Sequence, residues 1–309
     1  MFAPPPVLES RVFARLPDAF RVKGRSSRWV DVNRQGASTE CFLEGPSFDR
    51  AGNLYVVDIP WGRVFRVTPD GTFTLVTEYD GEPNGLKIHR DGRIFITDYR
   101  RGLMLLDPAS GAVTAVLERD RLEPFKGLND LVFARNGDLY FTDQGLTGLH
   151  DPSGRLYRLR ATGQLEVVLA NVPSPNGLVL TPDEKTLYLA VTRGNCVWRV
   201  PLLPDGATMK VGVFVQLSGG LGGGPDGMAM DREGNLAVAH VGLGTVWQFS
   251  RLGEPRHRIR SAAGMATTNL AYGGADGRTL YITESETGTI LTAQLDVPGL
   301  TLFSHAPAG

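Results

Sequence analysis

Six side chains that carry a carboxylate or carboxamide oxygen recur along the sequence at intervals of 40 to 50 residues. They are Glu44, Asn84, Asn129, Asn176, Asp226 and Asn269. Oxygen ligands of this kind suit a hard cation, and calcium takes about 6–8 of them in forgiving geometry. No thiolate accompanies the set, which argues against a structural zinc site. The pattern therefore predicts one bound divalent cation, Ca²⁺ first, with Mg²⁺, Mn²⁺ or Zn²⁺ as possible substitutes.

Each of these six residues begins a copy of one repeated sequence pattern. An apolar run is followed by a turn and then by a second apolar run that ends in a polar residue, as in NGLKIHRDGRIFITD at residues 84–98. A third apolar segment, and usually a fourth, follow each copy. Six repeats of about 45 residues with four strands each are typical of a β-propeller. The predicted fold is all-β, a six-bladed β-propeller with four-stranded antiparallel blades.

The repeats predict one large domain rather than two. Each blade buries its faces only against its neighbours, so the ring cannot be divided. We expect residues 40–309 to form the propeller and residues 1–39 to form an extension that packs on it. The outer strand of the last blade has two candidates, residues 11–16 and residues 300–303, and the sequence does not choose between them.

Propeller geometry places the six oxygen-bearing residues in a ring at one mouth of the central channel, because the first strand of every blade lines the axis. The second strands end on the same face, where Asp58, Asp98 and Asp143 are expected mainly to cap turns. A plainer interpretation of the ring also exists. Asn-Gly and Asp-Gly pairs are turn signals and would then only shape the entry to a strand, although this does not explain Glu44.

Four short motifs resemble one known family. They are Glu44-Gly45-Pro46, Asn129-Asp130, Pro175-Asn176-Gly177 and Pro225-Asp226-Gly227. In order and spacing they are similar to the SMP-30/gluconolactonase family, over residues 41–295. The resemblance implies a six-bladed, calcium-dependent lactone hydrolase, in a family with a branch that cleaves organophosphate esters. It also implies that Glu44, Asn176 and Asp226 bind the cation, and that Asn129 is a fourth ligand or holds the substrate.

One position departs from the family pattern. Sugar-lactone members often carry arginine two residues before the asparagine of the third blade, whereas this sequence has Gly127. The departure argues against a highly hydroxylated sugar lactone as substrate, unless Lys126 or Arg101 substitutes for the missing arginine.

Lactone hydrolysis requires a polarised carbonyl, an activated water and a stabilised oxyanion. A divalent cation supplies the first and the third without a serine or cysteine nucleophile. The sequence contains no Gly-x-Ser-x-Gly elbow, which removes the commonest acyl-transfer alternative. We therefore predict Asp226 and Asn129 as catalytic residues, with Asp226 as general base and Asp143 or His240 as the alternative base. The predicted substrate-binding residues are Asn129, Trp61, Tyr99, Arg101, Asp143 and His240.

Composition narrows the function classes further. The 309 residues include 32 basic and 33 acidic side chains, a balance that argues against nucleic acid as a partner. No apolar run approaches the ~18 residues of a membrane span, and no secretory signal opens the chain. The two cysteines match no metal spacing, so a cytoplasmic protein with a small lactone as partner is expected. Two alternatives stay open: a phosphotriester hydrolase of the same fold, and a non-catalytic propeller with a structural ion.

Overall fold

The computed structural model describes residues 3–306, and β-strands make up most of it. Six antiparallel blades surround a central channel, which confirms the predicted fold. From the channel outwards, the strands of blade one are Leu43–Phe48, Leu54–Asp58, Arg63–Val67 and Phe73–Glu78. The strands of blade two are Pro83–Ile88, Ile94–Asp98, Gly102–Leu106 and Val113–Leu117. The strands of blade three are Leu128–Phe133, Leu139–Asp143, Gly154–Leu159 and Leu165–Val172. Those of blade four are Pro175–Leu180, Thr186–Val191, Cys196–Pro201 and Gly212–Gln216, and those of blade five Gly224–Met230, Leu236–Val241, Thr245–Phe249 and Pro255–Arg260.

Blade six joins the two ends of the chain. Its first three strands are Thr267–Gly273, Thr279–Glu284 and Thr289–Gln294, and the outer strand is Arg11–Arg15, which pairs antiparallel with the third. Of the two candidates for this position, the structure therefore uses the N-terminal one. Val7–Glu9 lies just before it and adds a parallel fifth strand to blade five. Part of residues 1–39 thus belongs to the blades, while the division at residue 40 stays a prediction.

The core lies between neighbouring blades, as expected when each blade covers the next. Val57 and Val64 of blade one pack with Leu86, Ile96 and Met104 of blade two, and all five are fully buried. The same arrangement continues around the ring, so most residues of the first and second strands are buried on both faces.

The inner strands are irregular at the ring residues. In all six blades the pairing between the first and the second strand shifts register close to the ring position, for example between Glu44 and Ser47 and between Pro175 and Leu178. A bulge of this kind bends the strand and re-aims one side chain. The ring side chains therefore reach the mouth of the channel instead of following the regular alternation of a strand.

Glycine follows the ring residue in four blades because neighbouring inner strands approach each other closely. A Cβ atom on Gly85 would lie 2.6 Å from the backbone oxygen of Asn129. Gly85, Gly177 and Gly227 lie inside strands, and none of them has a positive φ. These Asn-Gly and Asp-Gly pairs therefore serve close strand packing and not turns.

The remaining elements are short. The α-helix Arg28–Asn33, which we call α1, begins after Ser27, whose Oγ accepts a hydrogen bond from the Val30 amide. Single 3₁₀ turns are formed by Asp18–Phe20, Ile59–Trp61, Thr192–Gly194 and Phe303–His305, and a small hairpin by Arg119–Asp120 and Glu123–Pro124. Among residues 3–306, no helix has the length and apolar character needed to cross a membrane. Both cysteines are buried and free.

Candidate active site

The mouth of the channel at the start of the inner strands opens into a cavity of about 490 Å³, which we call the ring cavity. Its polar lining includes five of the six ring residues: Glu44, Asn84, Asn129, Asn176 and Asp226. All five are nearly buried, with Asp226 the most exposed at 9%. Five inner strands from five blades thus bring oxygen-bearing side chains to one place.

The sixth ring residue, Asn269, supports the cavity from beneath. Its Nδ2 donates to Glu44 Oε2 at 2.9 Å and lies 3.4 Å from Asp130 Oδ2. Glu44 Oε2 also accepts the Gly45 amide at 2.7 Å. With one carboxylate oxygen held in this way, Oε1 is the Glu44 atom left for a ligand.

Asn176 is held in an orientation that suits a cation. Its Nδ2 donates to Thr192 Oγ1 at 3.1 Å, while its buried Oδ1 has no hydrogen-bond partner among the described residues. A buried carbonyl oxygen without a partner costs free energy, which a bound cation would remove. This orphaned atom, next to the Glu44 and Asp226 carboxylates, fits an oxygen-ligated divalent ion.

The electrostatics of the carboxylates point the same way. Burial raises the pKa of Glu44 to about 7, with a further contribution from the Asp130 carboxylate. Burial also raises the pKa of Asp226 well above its ordinary value, and the Glu44 and Asp130 carboxylates add to that rise. Buried like charges destabilise one another, so a divalent cation beside Glu44 and Asp226 would favour the ionised forms of these two carboxylates.

Amide oxygens are needed in any metal site here. Among residues 3–306, no three His, Cys, Asp or Glu side chains come together as a metal-binding group. Two carboxylates plus one or two carboxamides form the hard, oxygen-only donor set that calcium and magnesium use. The donor set disfavours metals that prefer nitrogen or sulfur ligands.

Asn129 is fixed by a chain of amide and hydroxyl groups. Its Nδ2 donates to Gln144 Oε1 at 2.8 Å, and Gln144 Nε2 donates to Ser174 Oγ at 3.0 Å. Its backbone oxygen accepts the Thr97 hydroxyl of the preceding blade at 2.6 Å. Both the side chain and the backbone of Asn129 are therefore immobilised beside the cavity.

The walls of the ring cavity combine aromatic and charged groups. Tyr99 and Ile59 come from the propeller, whereas Trp29, Asn33 and Arg34 come from α1 and the residue after it. The Trp29 ring lies 4.8 Å from the ring of Phe42. Arg34 Nη2 bonds Glu286 Oε1 of blade six at 3.0 Å. The segment that contains α1 thus forms one side of the mouth and is tied to blade six.

Two predicted substrate-binding residues lie outside this lining. Trp61 is half-buried, and its Nε1 donates to the Glu40 carbonyl at 3.1 Å. The amide of Arg101 donates to Asp98 Oδ1 at 2.8 Å, and its guanidinium lies near the backbone of Asp80. Both side chains are engaged in loop structure at the rim, so the structure does not bring them to Glu44 and Asp226.

Asp143 and His240 are also buried away from the cavity. Asp143 Oδ1 accepts the Gly127 amide at 2.8 Å, which is the local capping role expected for the acidic strand ends. Burial raises the pKa of Asp143 and lowers the pKa of His240. His240 Nδ1 accepts the indole N–H of Trp247 at 3.2 Å. Neither alternative base lines the ring cavity, whereas Tyr99 and Asn129 do.

Several residues of the site were not anticipated from the sequence. Trp29 and Arg34 carry no signal at all, since they lie outside the repeats. A repeat identifies only what recurs in each blade.

The fold and the site together define a six-bladed propeller with an acidic, oxygen-lined axial cavity. The sequence profile of the SMP-30/Gluconolactonase/LRE-like region matches residues 42–286. The chain belongs to this family, and the resemblance noted above is confirmed.

Similar proteins agree with this assignment. The chain is 31% identical over 282 residues to a gluconolactonase of Zymomonas mobilis, which covers 81% of this chain and 78% of that protein. It is 32% identical over 239 residues to the lactonase drp35 of Staphylococcus saprophyticus, covering 75% and 72%. The crystal structure of a calcium-binding protein, regucalcin from Agrobacterium tumefaciens, matches with a TM-score of 0.74 and 26% identity, covering 86% and 94%. The predicted enzyme class, a lactonase- or gluconolactonase-like hydrolase, is confirmed.

Proposed function

We propose that this protein hydrolyses small-molecule lactones with one Ca²⁺ ion held in the ring cavity. The observation that carries the proposal is the buried, unpartnered Asn176 Oδ1 beside the Glu44 and Asp226 carboxylates. The gluconolactonase and lactonase relatives support the reaction, and the calcium-binding relative supports the ion.

Glu44, Asn176 and Asp226 would hold the cation, with Asn129 as a fourth ligand or as an anchor for the substrate. When bound, the cation supplies Lewis-acid polarisation of the lactone carbonyl and charge neutralisation for the oxyanion. Asn269 positions Glu44, and Thr192 positions Asn176, through the hydrogen bonds already described. These supporting residues keep the ligands in place before substrate arrives, which is the purpose of an outer shell.

The proton transfer is assigned to Asp226. Its carboxylate takes a proton as water adds to the carbonyl carbon, and the proton then passes to the ring oxygen when the C–O bond breaks. The product is a hydroxy acid. Asp226 lines the cavity, whereas the alternative bases Asp143 and His240 do not, and this difference in position supports the choice.

The walls favour a lactone with few hydroxyl groups. Gly127 has φ +152°, and a Cβ atom there would lie 2.8 Å from the Tyr99 ring. The space that an arginine at this position would need is therefore occupied by an aromatic face. With Trp29 and Ile59 on the same cavity, an alkyl- or aryl-substituted ring is a better match than a polyol.

Metal dependence is tested first. We expect purified protein to bind one calcium ion, and chelator to abolish turnover until calcium is restored. Glu44→Gln should weaken calcium binding, measured by isothermal titration calorimetry, because one formal charge leaves the ligand set. Active protein with no bound metal would refute the proposed ion. Unchanged calcium affinity in Glu44→Gln would show that Glu44 is not one of its ligands.

The substrate is tested by comparing alkyl-substituted γ- and δ-lactones with glucono-1,5-lactone and with a phosphotriester. We expect the highest kcat/KM for the alkyl lactones. A preference for the polyol would overturn the role given to Gly127 and Tyr99, and a preference for the phosphotriester would favour the alternative activity. Calcium binding with no hydrolysis of any substrate would favour a binding module.

A further inference from the structure

The channel has a second cavity at its other end. It measures about 530 Å³ and lies where the six inner strands finish; we call it the opposite cavity. Its walls are mostly apolar and include Val132, Leu178, Leu180, Met228, Met230 and Leu302. The size is within the range of about 300–1,000 Å³ that ligand sites occupy.

One wall is a segment near the C-terminus, residues 300–306, which crosses this mouth. The Phe303 ring stacks on that of Phe133 with centroids 4.7 Å apart. Ser304 Oγ donates to the Phe48 carbonyl at 2.9 Å, and Arg50 Nε donates to the Ser304 carbonyl at 2.7 Å. The wall is thus fixed by packing and hydrogen bonds, so the cavity exists before any ligand binds.

Lys87 brings a positive charge to this apolar cavity. It lies on the inner strand of blade two, lines the cavity and is 24% exposed. Its Nζ lies 3.8 Å from Asp130 Oδ1, which is beyond hydrogen-bond distance. That oxygen already accepts the Leu131 amide at 2.8 Å. Asp130 therefore offsets part of the charge but leaves the ammonium donors of Lys87 available.

The rim adds to the positive charge. Arg135 and Glu184 lie 4.0 Å apart and offset each other. Arg232 also lines the cavity, and within residues 3–306 it has no carboxylate closer than 4 Å. The opposite cavity thus presents an excess of cationic groups around apolar walls, which complements an anion with an apolar body.

We propose that the opposite cavity is a binding site for an amphipathic monocarboxylate. The apolar tail lies against the Leu, Met and Val side chains, and the carboxylate accepts hydrogen bonds from the Lys87 ammonium. Charge-assisted hydrogen bonds of this kind are stronger than neutral ones. This site uses the other ends of the inner strands and does not depend on lactone hydrolysis.

The probe is octanoate, compared with 1-octanol and octylamine, which have the same tail. Calorimetry at low salt should show octanoate binding about tenfold or more tightly than octanol, and octylamine most weakly. Lys87→Met should lower the affinity for octanoate to that for octanol. Lys87→Arg should still bind octanoate more tightly than octanol. Equal binding of octanoate and octanol by the unaltered protein would overturn the proposal.

The location is tested separately, because a carboxylate could also bind calcium in the ring cavity. An alkanoate that carries a photoreactive diazirine should label residues 178–182 or 300–303, and Asp226→Asn should not change this. Leu302→Trp, which places an indole in the opposite cavity, should abolish labelling in protein that melts as a folded chain. Labelling confined to residues 221–226 would overturn the proposal. So would sedimentation as a dimer that Leu302→Trp dissociates, since a second copy would then cover this face.

Discussion

The two mouths of the channel are built from the same six inner strands, yet they differ in chemistry. At the ring cavity the strands begin with Glu44, Asn176 and Asp226, buried and turned towards the axis by bulges. At the opposite cavity the same strands end in apolar residues such as Leu180 and Met230, with a C-terminal segment laid across them.

The difference shows that, in a closed propeller, the residues that stabilise the fold and the residues that form a site can lie in different places. Blade-to-blade packing supplies most of the stability, so the starts of the strands can carry buried polar groups that do not belong to the apolar core. Close strand approach at the ring mouth fixes those groups. At the other mouth the ends of the same strands line an apolar space. If this comparison is correct, substitutions at the ring mouth should affect turnover and substitutions at the opposite mouth should not.

The largest effect on turnover is expected for Asp226→Asn. It removes the assigned base and one charge from the calcium ligands, so lactone turnover at saturating calcium should fall by at least ~10²–10⁴-fold. The calcium-free variant should melt no lower than the unaltered protein, because repulsion with Glu44 and Asp130 is reduced. Asp276→Asn, in an exposed turn of blade six, is the control. Near-normal turnover by folded Asp226→Asn would show that a residue other than Asp226 is the general base.

Gly85→Ala should have the next largest effect. The added Cβ would lie 2.6 Å from the Asn129 backbone oxygen, so the two inner strands must move apart. We expect a loss of about 1–3 kcal/mol in the free energy of unfolding and of about 10- to 100-fold in kcat/KM, because Asn129 is displaced.

The matched control for Gly85→Ala is Gly212→Ala. Gly212 lies on the exposed outer strand of blade four, where an added Cβ meets nothing within 4 Å. Urea unfolding should show it to be neutral or slightly stabilised, with full activity. If the two alanine variants behaved alike, close packing of the inner strands would not explain the glycines of the ring.

A smaller effect is expected at the α1 side of the ring mouth. Arg34→Met breaks the bond to Glu286, a half-exposed pair worth about 0–1 kcal/mol. KM should rise ~2–5-fold with kcat almost unchanged, because the wall loosens while the ligand set stays intact. Added salt should raise KM in the unaltered protein but not in Arg34→Met. A fall in kcat with constant KM would show that Arg34 acts on the reaction itself.

The smallest effect on turnover is expected at the opposite mouth. Phe303→Ala removes the stack on Phe133 and should lower the free energy of unfolding by about 1–2 kcal/mol, since the ring is only half-buried. Lactone turnover should remain within twofold of normal, and Phe303→Leu should recover most of the stability. A tenfold loss of turnover in Phe303→Ala would show that the two mouths are coupled.

Much of the architecture could be predicted from the repeat alone. The number of copies gives the number of blades, and the first residue of each copy gives the ring, because every blade has the same geometry. The capping role of the acidic strand ends also follows, as Asp143 illustrates with the Gly127 amide.

The sequence by itself determined the six blades and the ring residues Glu44, Asn129, Asn176 and Asp226, because a local pattern recurs wherever the same local structure is needed. Only the tertiary structure decided that Arg11–Arg15 closes blade six, that Trp29 and Arg34 form a wall of the ring cavity, and that residues 300–306 cross the opposite mouth. These segments occur once and pair with distant parts of the chain. Their positions follow from which surfaces remain uncovered after the blades have packed, and no local pattern contains that information.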